Sequence, residues 1–228
     1  TPHAQREIDL SVFDVDEQAG PNSTPPPSDT IIETPAVPGA NKRITEPSPP
    51  SLSEEPPRLG VSKSFCLEQL RRLKTLDNSK SILLHSYMDV IKEQDNYKRA
   101  QTALYHHHLE ETDATWKPLI ATATVFISHA WNMGALAFFE ATLKHMTDND
   151  YAWIDMFMYT QYGNGDGSTR AWIQRFESLV RDIGRVVAII TPWNDPIALR
   201  RIWCLFELIC AIHTNAELKI ELPEIEQM

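Results

Sequence analysis

From residue 117 onward, apolar positions alternate between two rhythms. Short apolar runs read as strands near 122–128, at Tyr151–Asp155, at Arg185–Thr191 and at Leu218–Leu222. The third contains Val186-Val-Ala-Ile-Ile190, apolar throughout, as a strand covered on both faces requires. Between the runs the spacing becomes helical. Leu136, Phe138, Phe139 and Leu143 mark one helix, and Trp172, Phe176, Leu179 and Val180 a second. The stretch Arg201-Ile-Trp-Cys-Leu-Phe-Glu-Leu208 marks a third, opened by Asp195 as N-cap and Pro196 in the first turn.

Strand and helix in alternation predict an α/β fold with an open parallel sheet and helices on both faces. The expected order is flavodoxin-like, 2-1-3-4. In that order the winding reverses between the first and third strands, whose ends are Ser128-His129 and Thr191-Pro192-Trp193. Ligands of open α/β sheets bind outside the carboxyl ends of the strands at such a reversal. A loop with three glycines, Tyr162–Gly167, follows the second strand.

Upstream the pattern differs. Leu67, Leu70, Leu73 and Leu76 give an amphipathic helix over 64–76, and Asp77-Asn78-Ser79 interrupts it. Leu83, Leu84, Tyr87, Met88, Ile91, Ala100 and Leu104 suggest a second helix from about Ser81 to Glu111. These helices are either a spacer or a packing surface for the α/β portion or another copy of the chain. Residues 1–60 hold 12 of the 16 prolines, no Trp and no Tyr, with 4 basic and 10 acidic residues. Such a segment buries too little apolar surface to offset its ordering entropy, so a disordered leader is expected. The expected organisation is therefore a disordered acidic Pro-rich leader over 1–60, a helical linker or hairpin over 61–115, and an α/β domain over 116–228.

Charge and special residues narrow the chemistry. A net charge of -10 argues against a nucleic-acid footprint, which needs a basic face. No apolar run is long enough to span a bilayer and no secretory signal is visible, so no membrane partner is expected. Cys66, Cys204 and Cys210 make no disulfide framework and suggest buried reduced thiols in a cytoplasmic protein. Consecutive helical residues point in different directions, so His106-His107-His108 cannot share one ion, and no metal site is expected. The last strand ends abruptly, and a fragment of something longer is expected. What stands out is Glu207, a single carboxylate in an otherwise apolar helix just after a buried strand. A charge so placed has a partner or a task.

Four segments resemble the Toll/interleukin-1 receptor (TIR) domains, closest in motif to the plant and bacterial members. Val125-Phe-Ile-Ser-His-Ala130 is similar to the family's first strand, and Ala152-Trp-Ile-Asp155 to its second. Gly165-Asp-Gly-Ser168 is similar to the loop that follows, and Trp203-Cys-Leu-Phe-Glu-Leu208 to the plant pattern on the helix after strand three. Together they cover roughly residues 120–222 in the family's order. The second segment also resembles the fungal heterokaryon-incompatibility domains. Departures are Trp131-Asn-Met-Gly134, where the family often carries an acidic residue, and Arg200-Arg201-Ile202, where plant members have small hydroxyl residues. The chain also stops near its fourth strand, short of the family's fifth strand and last helix.

The resemblance implies cleavage of NAD+ between nicotinamide and ribose, with NAD+ as substrate and no permanently bound cofactor. It implies signalling or defence as the setting and linear or cyclic ADP-ribose as product. The leaving nicotinamide is neutral and needs no proton, whereas the oxocarbenium-like ribosyl cation needs a fixed negative charge. Glu207 is the implied catalytic residue. Ser128, His129, Trp131, Asp155, Gly165, Trp193 and Trp203 are the implied nucleotide contacts. A homo-oligomer through the TIR-like domain and residues 64–111 is implied as well. Plain structural roles compete: an ion pair for Glu207, core packing for Trp203, a strand-end cap for Asp155, a turn for Asp166. The corresponding alternative for the whole chain is a non-catalytic self-association or scaffold module in intracellular signalling.

Overall fold

The computed structural model describes residues 58–77, 79–94, 102–159, 169–192 and 194–223, with backbone only for 169–175. The expected leader over 1–57, Gly165 and the rest of the glycine-containing loop, the Trp172 side chain and Trp193 lie outside the described residues.

The fold is α/β, built on a mixed, mostly parallel six-stranded sheet. The strands are β1 (Leu59–Ser62), β2 (Ile120–Thr122), β3 (Val125–Ser128), β4 (Tyr151–Trp153), β5 (Arg185–Ile189) and β6 (Glu217–Glu221). The α-helices are α1 (Lys63–Lys74), α2 (Leu84–Lys92), α3 (Ala135–Lys144), α4 (Asp155–Met158), α5 (Thr169–Ile183) and α6 (Ile202–His213). The sheet order is β2-β1-β4-β3-β5-β6. β4, β3, β5 and β6 are parallel, and β1 and β2 extend the sheet beyond β4 as antiparallel strands. From β3 the chain moves to β4 on one side, then returns to β5 on the other.

Phe126 and Trp153 stack at 4.7 Å, and both meet Phe176 of α5 edge-on. Each is 2% exposed or less, so this trio anchors the α5–α6 side of the core. On the other face Phe139 of α3 packs with Tyr87 of α2, with its neighbour Phe138 and with Phe157. Truncating any of these rings would cost about 3–5 kcal/mol.

Four local expectations change. β1 begins at Leu59, inside the stretch expected to be leader, because Gly60 lets the backbone come against β4. A Cβ at Gly60 would stand 2.8 Å from the Ala152 carbonyl carbon, so only glycine fits. Ser62 then caps α1, its hydroxyl accepting from the Phe65 amide at 3.1 Å. The strand expected near 122–128 is Val125–Ser128, and Thr122 belongs to a separate strand, since β2 pairs with β1 while β3 pairs with β4 and β5. The long helix expected over 81–111 is α2 followed, past a gap in the described residues, by a 3-10 turn at Leu104–His108. Likewise Asp195-Pro196 does not open α6. Asp195 pairs with Arg200, a 3-10 turn spans Ala198–Arg200, and α6 starts at Ile202.

Residues 82–85 pin the loop that leaves β3. The amides of Leu84 and His85 donate to the carbonyls of Met133 and Trp131 at 2.8 and 2.9 Å, and the Ala135 amide donates to the Ile82 carbonyl at 2.9 Å. The segment expected as a linker thus braces the carboxyl end of the sheet. No helix among the described residues is long and apolar enough to cross a membrane.

Candidate functional site

Strand pleat separates Ser128 from His129. Ser128 lies on the same side as Phe126, toward α5 and α6, and His129 lies opposite, toward α3. The His129 ring accordingly sits 4.6 Å from that of Phe138. The helical repeat does the equivalent for α6. Cys204, Glu207, Cys210 and Ala211 share the face toward the sheet, and all but Glu207 are buried apolar or thiol groups.

These two placements meet. The Ser128 hydroxyl donates to Glu207 Oε2 at 2.5 Å, across 79 residues of sequence. The Cys204 thiol donates to the His129 carbonyl at 3.3 Å, a second tie between α6 and the end of β3. Burial pushes the Glu207 carboxyl up to about 8. The Ser128 hydrogen bond and the Arg201 guanidinium oppose that rise, and Asp155 adds to it. Glu207 as a residue is only half-buried, so the desolvation falls on its carboxyl end. Near neutral pH that group is mostly protonated in the free protein.

Asp155 gathers the rest. Its Oδ2 accepts from the Trp131 indole N–H at 2.9 Å, and its Oδ1 accepts from the Met156 amide at 2.6 Å. His129 Nε2 stands 3.3 Å from Asp155 Oδ1, yet it has no hydrogen-bond partner among the described residues. The other ring nitrogen explains this. Nδ1 lies 3.2 Å from the Ile127 carbonyl, which can only accept, so Nδ1 carries the proton. Burial lowers the His129 pKa, partly offset by Asp155, so the ring is neutral and Nε2 presents a bare lone pair. The site is therefore rich in acceptors: a carboxylate at Asp155, an orphan imidazole nitrogen and the Ser128–Glu207 pair.

Of the residues expected at the site, Ser128, His129, Trp131, Asp155 and Glu207 fall in this cluster. Trp203 is half-buried one turn before Glu207, its ring edge-on to Phe206 at 6.4 Å. Gly165 and Trp193 lie outside the described residues. Two contributors were not expected. Arg201, noted only as a departure from the plant pattern, acts electrostatically on both His129 and Glu207. Cys204 does more than fill space, because its thiol ties down the His129 backbone. Only the motif placing both near Glu207, Arg201 at the start of α6 and Cys204 on it, could have hinted at either. All three thiols are free and buried, and burial pushes Cys66 and Cys210 up to about 12, which leaves them unreactive. Among the described residues no group of His, Cys, Asp and Glu could hold a metal ion. In comparisons with known proteins, no family model, no curated protein and no solved structure matches this chain.

Proposed function

We propose that the chain is a TIR-like NAD+ glycohydrolase that releases nicotinamide and leaves linear or cyclic ADP-ribose. The observation that carries this proposal is the Ser128–Glu207 hydrogen bond at the carboxyl end of β3, where the winding of the parallel strands reverses. Within the sheet, the parallel run β4-β3-β5-β6 supports a flavodoxin-like 2-1-3-4 core. The buried free thiols support a reducing, cytoplasmic setting.

Glu207 would carry the chemistry. As the glycosidic bond lengthens, positive charge gathers on the ribosyl ring, and an adjacent carboxylate lowers that barrier. Free Glu207 is held up at about 8, and an arriving pyridinium cation favours its ionised form. Substrate binding thus releases a proton and prepares the base form where it is used. Ser128 positions the carboxylate, and the partly exposed Asp155 side chain suits ribose hydroxyls.

The test is nicotinamide release from NAD+ by the full chain and by Glu207→Gln, which keeps the shape and the bond from Ser128. A loss of about a hundredfold or more is expected in the variant. Equal rates, or no release by either protein, would refute the proposal. A non-catalytic self-association module is the second candidate, favoured by the exposed apolar side chains of Ile202, Leu205, Ile209 and Ile212 on α6. Calorimetric titration with NAD+ separates the two, since a pure scaffold gives no binding heat that depends on Ser128 and Glu207.

A further inference from the structure

Ile127, His129 and Asp155 meet in an arrangement that the Ser128–Glu207 pair does not use. The His129 side chain is 2% exposed, and each ring nitrogen faces an oxygen that accepts. Nδ1 lies 3.2 Å from the Ile127 carbonyl, and Nε2 lies 3.3 Å from Asp155 Oδ1. A neutral imidazole carries one N–H, so it satisfies only one of these two oxygens. With the proton on Nδ1, the bare Nε2 faces a carboxylate, acceptor against acceptor. Moving the proton to Nε2 repairs that contact and sets a bare Nδ1 against the Ile127 carbonyl. Only the doubly protonated ring donates to both oxygens. The surroundings thus fit an imidazolium, while burial keeps the ring neutral near pH 7.

The charges around the ring set when a second proton arrives. Burial opposes it most strongly, Asp155 at the head of α4 and the Ile127 carbonyl favour it, and Arg201 at the head of α6 opposes it. The Cys204 thiol of α6 donates to the His129 carbonyl rather than to the ring, and Phe138 of α3 supplies an uncharged wall at 4.6 Å. His85 of α2 turns its Nδ1 to the Trp131 carbonyl, and Glu207 is tied to Ser128 on the opposite side of β3. The ring therefore takes its second proton below its ordinary value of 6.5. Asp155 carries the consequence outward. Its side chain is 32% exposed and is fixed by the Trp131 indole N–H and the Met156 amide. A positive ring 3.3 Å behind one of its oxygens cancels much of the charge that Asp155 shows to the site.

We propose that His129 is a positioning residue that acts through Asp155, leaving its carboxylate fully charged toward a cationic ligand while the ring is neutral and drawing it into an ion pair, with loss of ligand affinity, once the ring is protonated. In the closed state Nε2–H donates to Asp155 Oδ1 and Nδ1–H keeps its bond to the Ile127 carbonyl. The protonation half stands on the geometry of the ring. The ligand half rests on the reading of the cluster as an NAD+ site.

Two measurements test the halves separately. Nitrogen-15 NMR of the full 228-residue chain, labelled in its histidine rings, counts the protons on His129 from about pH 7.5 down to acid unfolding, with His129→Phe assigning the signal. A neutral ring protonated at Nδ1 is expected at the start and an imidazolium at acid pH, with a midpoint below 6.5. Asp155→Asn should lower that midpoint by about one pH unit or more, because the partner charge is gone. A neutral ring protonated at Nε2, a ring that never takes a second proton, or a midpoint unmoved by Asp155→Asn overturns the proposal. NAD+ affinity is then measured by calorimetry in Glu207→Gln, whose residue 207 does not titrate. The dissociation constant should be about tenfold weaker below the His129 midpoint than at about pH 7.5, and adding His129→Phe should abolish that dependence. Affinity that holds steady while the ring protonates overturns the proposal as well. If NAD+ binds to no variant at any pH, the proposed activity fails and the ligand half falls with it, while the NMR titration still decides the ring.

Discussion

Two buried carboxyl groups sit at opposite ends of the same parallel strands and behave in opposite ways. Asp150, just before β4, is surrounded by donors. Thr124 donates its hydroxyl to Oδ1 at 2.8 Å, and Arg185 pairs with the same oxygen at 2.8 Å. The amide and hydroxyl of Thr147 donate to Oδ2, each at 2.7 Å. Burial works against ionisation there, but these bonds outweigh it and hold the carboxyl down at about 2. Glu207, at the carboxyl ends, has the Ser128 hydroxyl as its hydrogen-bond donor, and burial pushes it up to about 8. A satisfied carboxylate locks the amino ends of three strands together. An under-satisfied one is held away from its ordinary charge state, which is where function is to be sought in an open α/β sheet.

Exchanging each carboxylate for its amide breaks the comparison most forcefully, because the two changes should move stability in opposite directions. Asp150→Asn leaves the Arg185 charge and two hydroxyls poorly matched. It should cost about 3 kcal/mol, or a fall in Tm of about 6–12 °C. Glu207→Gln replaces a carboxyl that resists ionisation with a neutral acceptor. It should raise stability by about 1–2 kcal/mol at pH 7 while lowering nicotinamide release about a hundredfold or more. Thermal and urea unfolding decide the signs. If both variants lose stability, Glu207 belongs to the frame and the contrast is false.

Unfolding measured against pH sharpens the contrast without relying on activity. The pKa of Asp150 is depressed on folding, so its contribution is complete above its ordinary value of 3.8 and is lost as pH falls toward about 2. That amounts to about 2–3 kcal/mol. The pKa of Glu207 is raised, so the folded form holds a proton that the unfolded form releases between 4.5 and about 8. Stability from this group therefore declines as pH rises through that window and is flat above it. Glu207→Gln should remove the decline between pH 5 and 8 and leave the acid limb. Asp150→Asn should remove most of the acid limb and leave the decline.

The two ends also differ in how far sequence reveals them. The parallel strands and the helices between them could be read from periodicity, because a buried strand such as Val186–Ile190 admits little else. Ser128 and Glu207 were also legible, one as a polar strand end and the other as a charge in an apolar helix. Their 2.5 Å contact was not, since it depends on how α6 crosses the sheet. β1 escaped notice because Leu59-Gly-Val-Ser62 directly follows Pro56-Pro57-Arg58, and its glycine reads as a breaker until the Ala152 backbone is seen against it. Asp150 escaped notice too. Thr147-Asp-Asn-Asp150 reads as a turn, and only the fold brings Thr124 and Arg185 to it.

The finest distinction between the clusters is redundancy, and single hydroxyls measure it. Thr124→Val removes one of several donors to Asp150, and Arg185 and Thr147 remain, so the carboxyl stays ionised and the cost is about 1 kcal/mol. Ser128→Ala removes the hydrogen bond that favours the Glu207 carboxylate, and Arg201 alone is left opposing burial and Asp155. The Glu207 pKa must then rise further. The value of kcat/KM for nicotinamide release should climb with pH and level off above about 8 in the parent protein. In Ser128→Ala the whole rise should shift to higher pH, with about a tenfold deficit at pH 7 that narrows in alkali. A merely structural serine would lower the curve without displacing it. An undisplaced profile would mean that Ser128 does not govern the ionisation of Glu207, and the two ends of the sheet would then differ in geometry but not in chemistry.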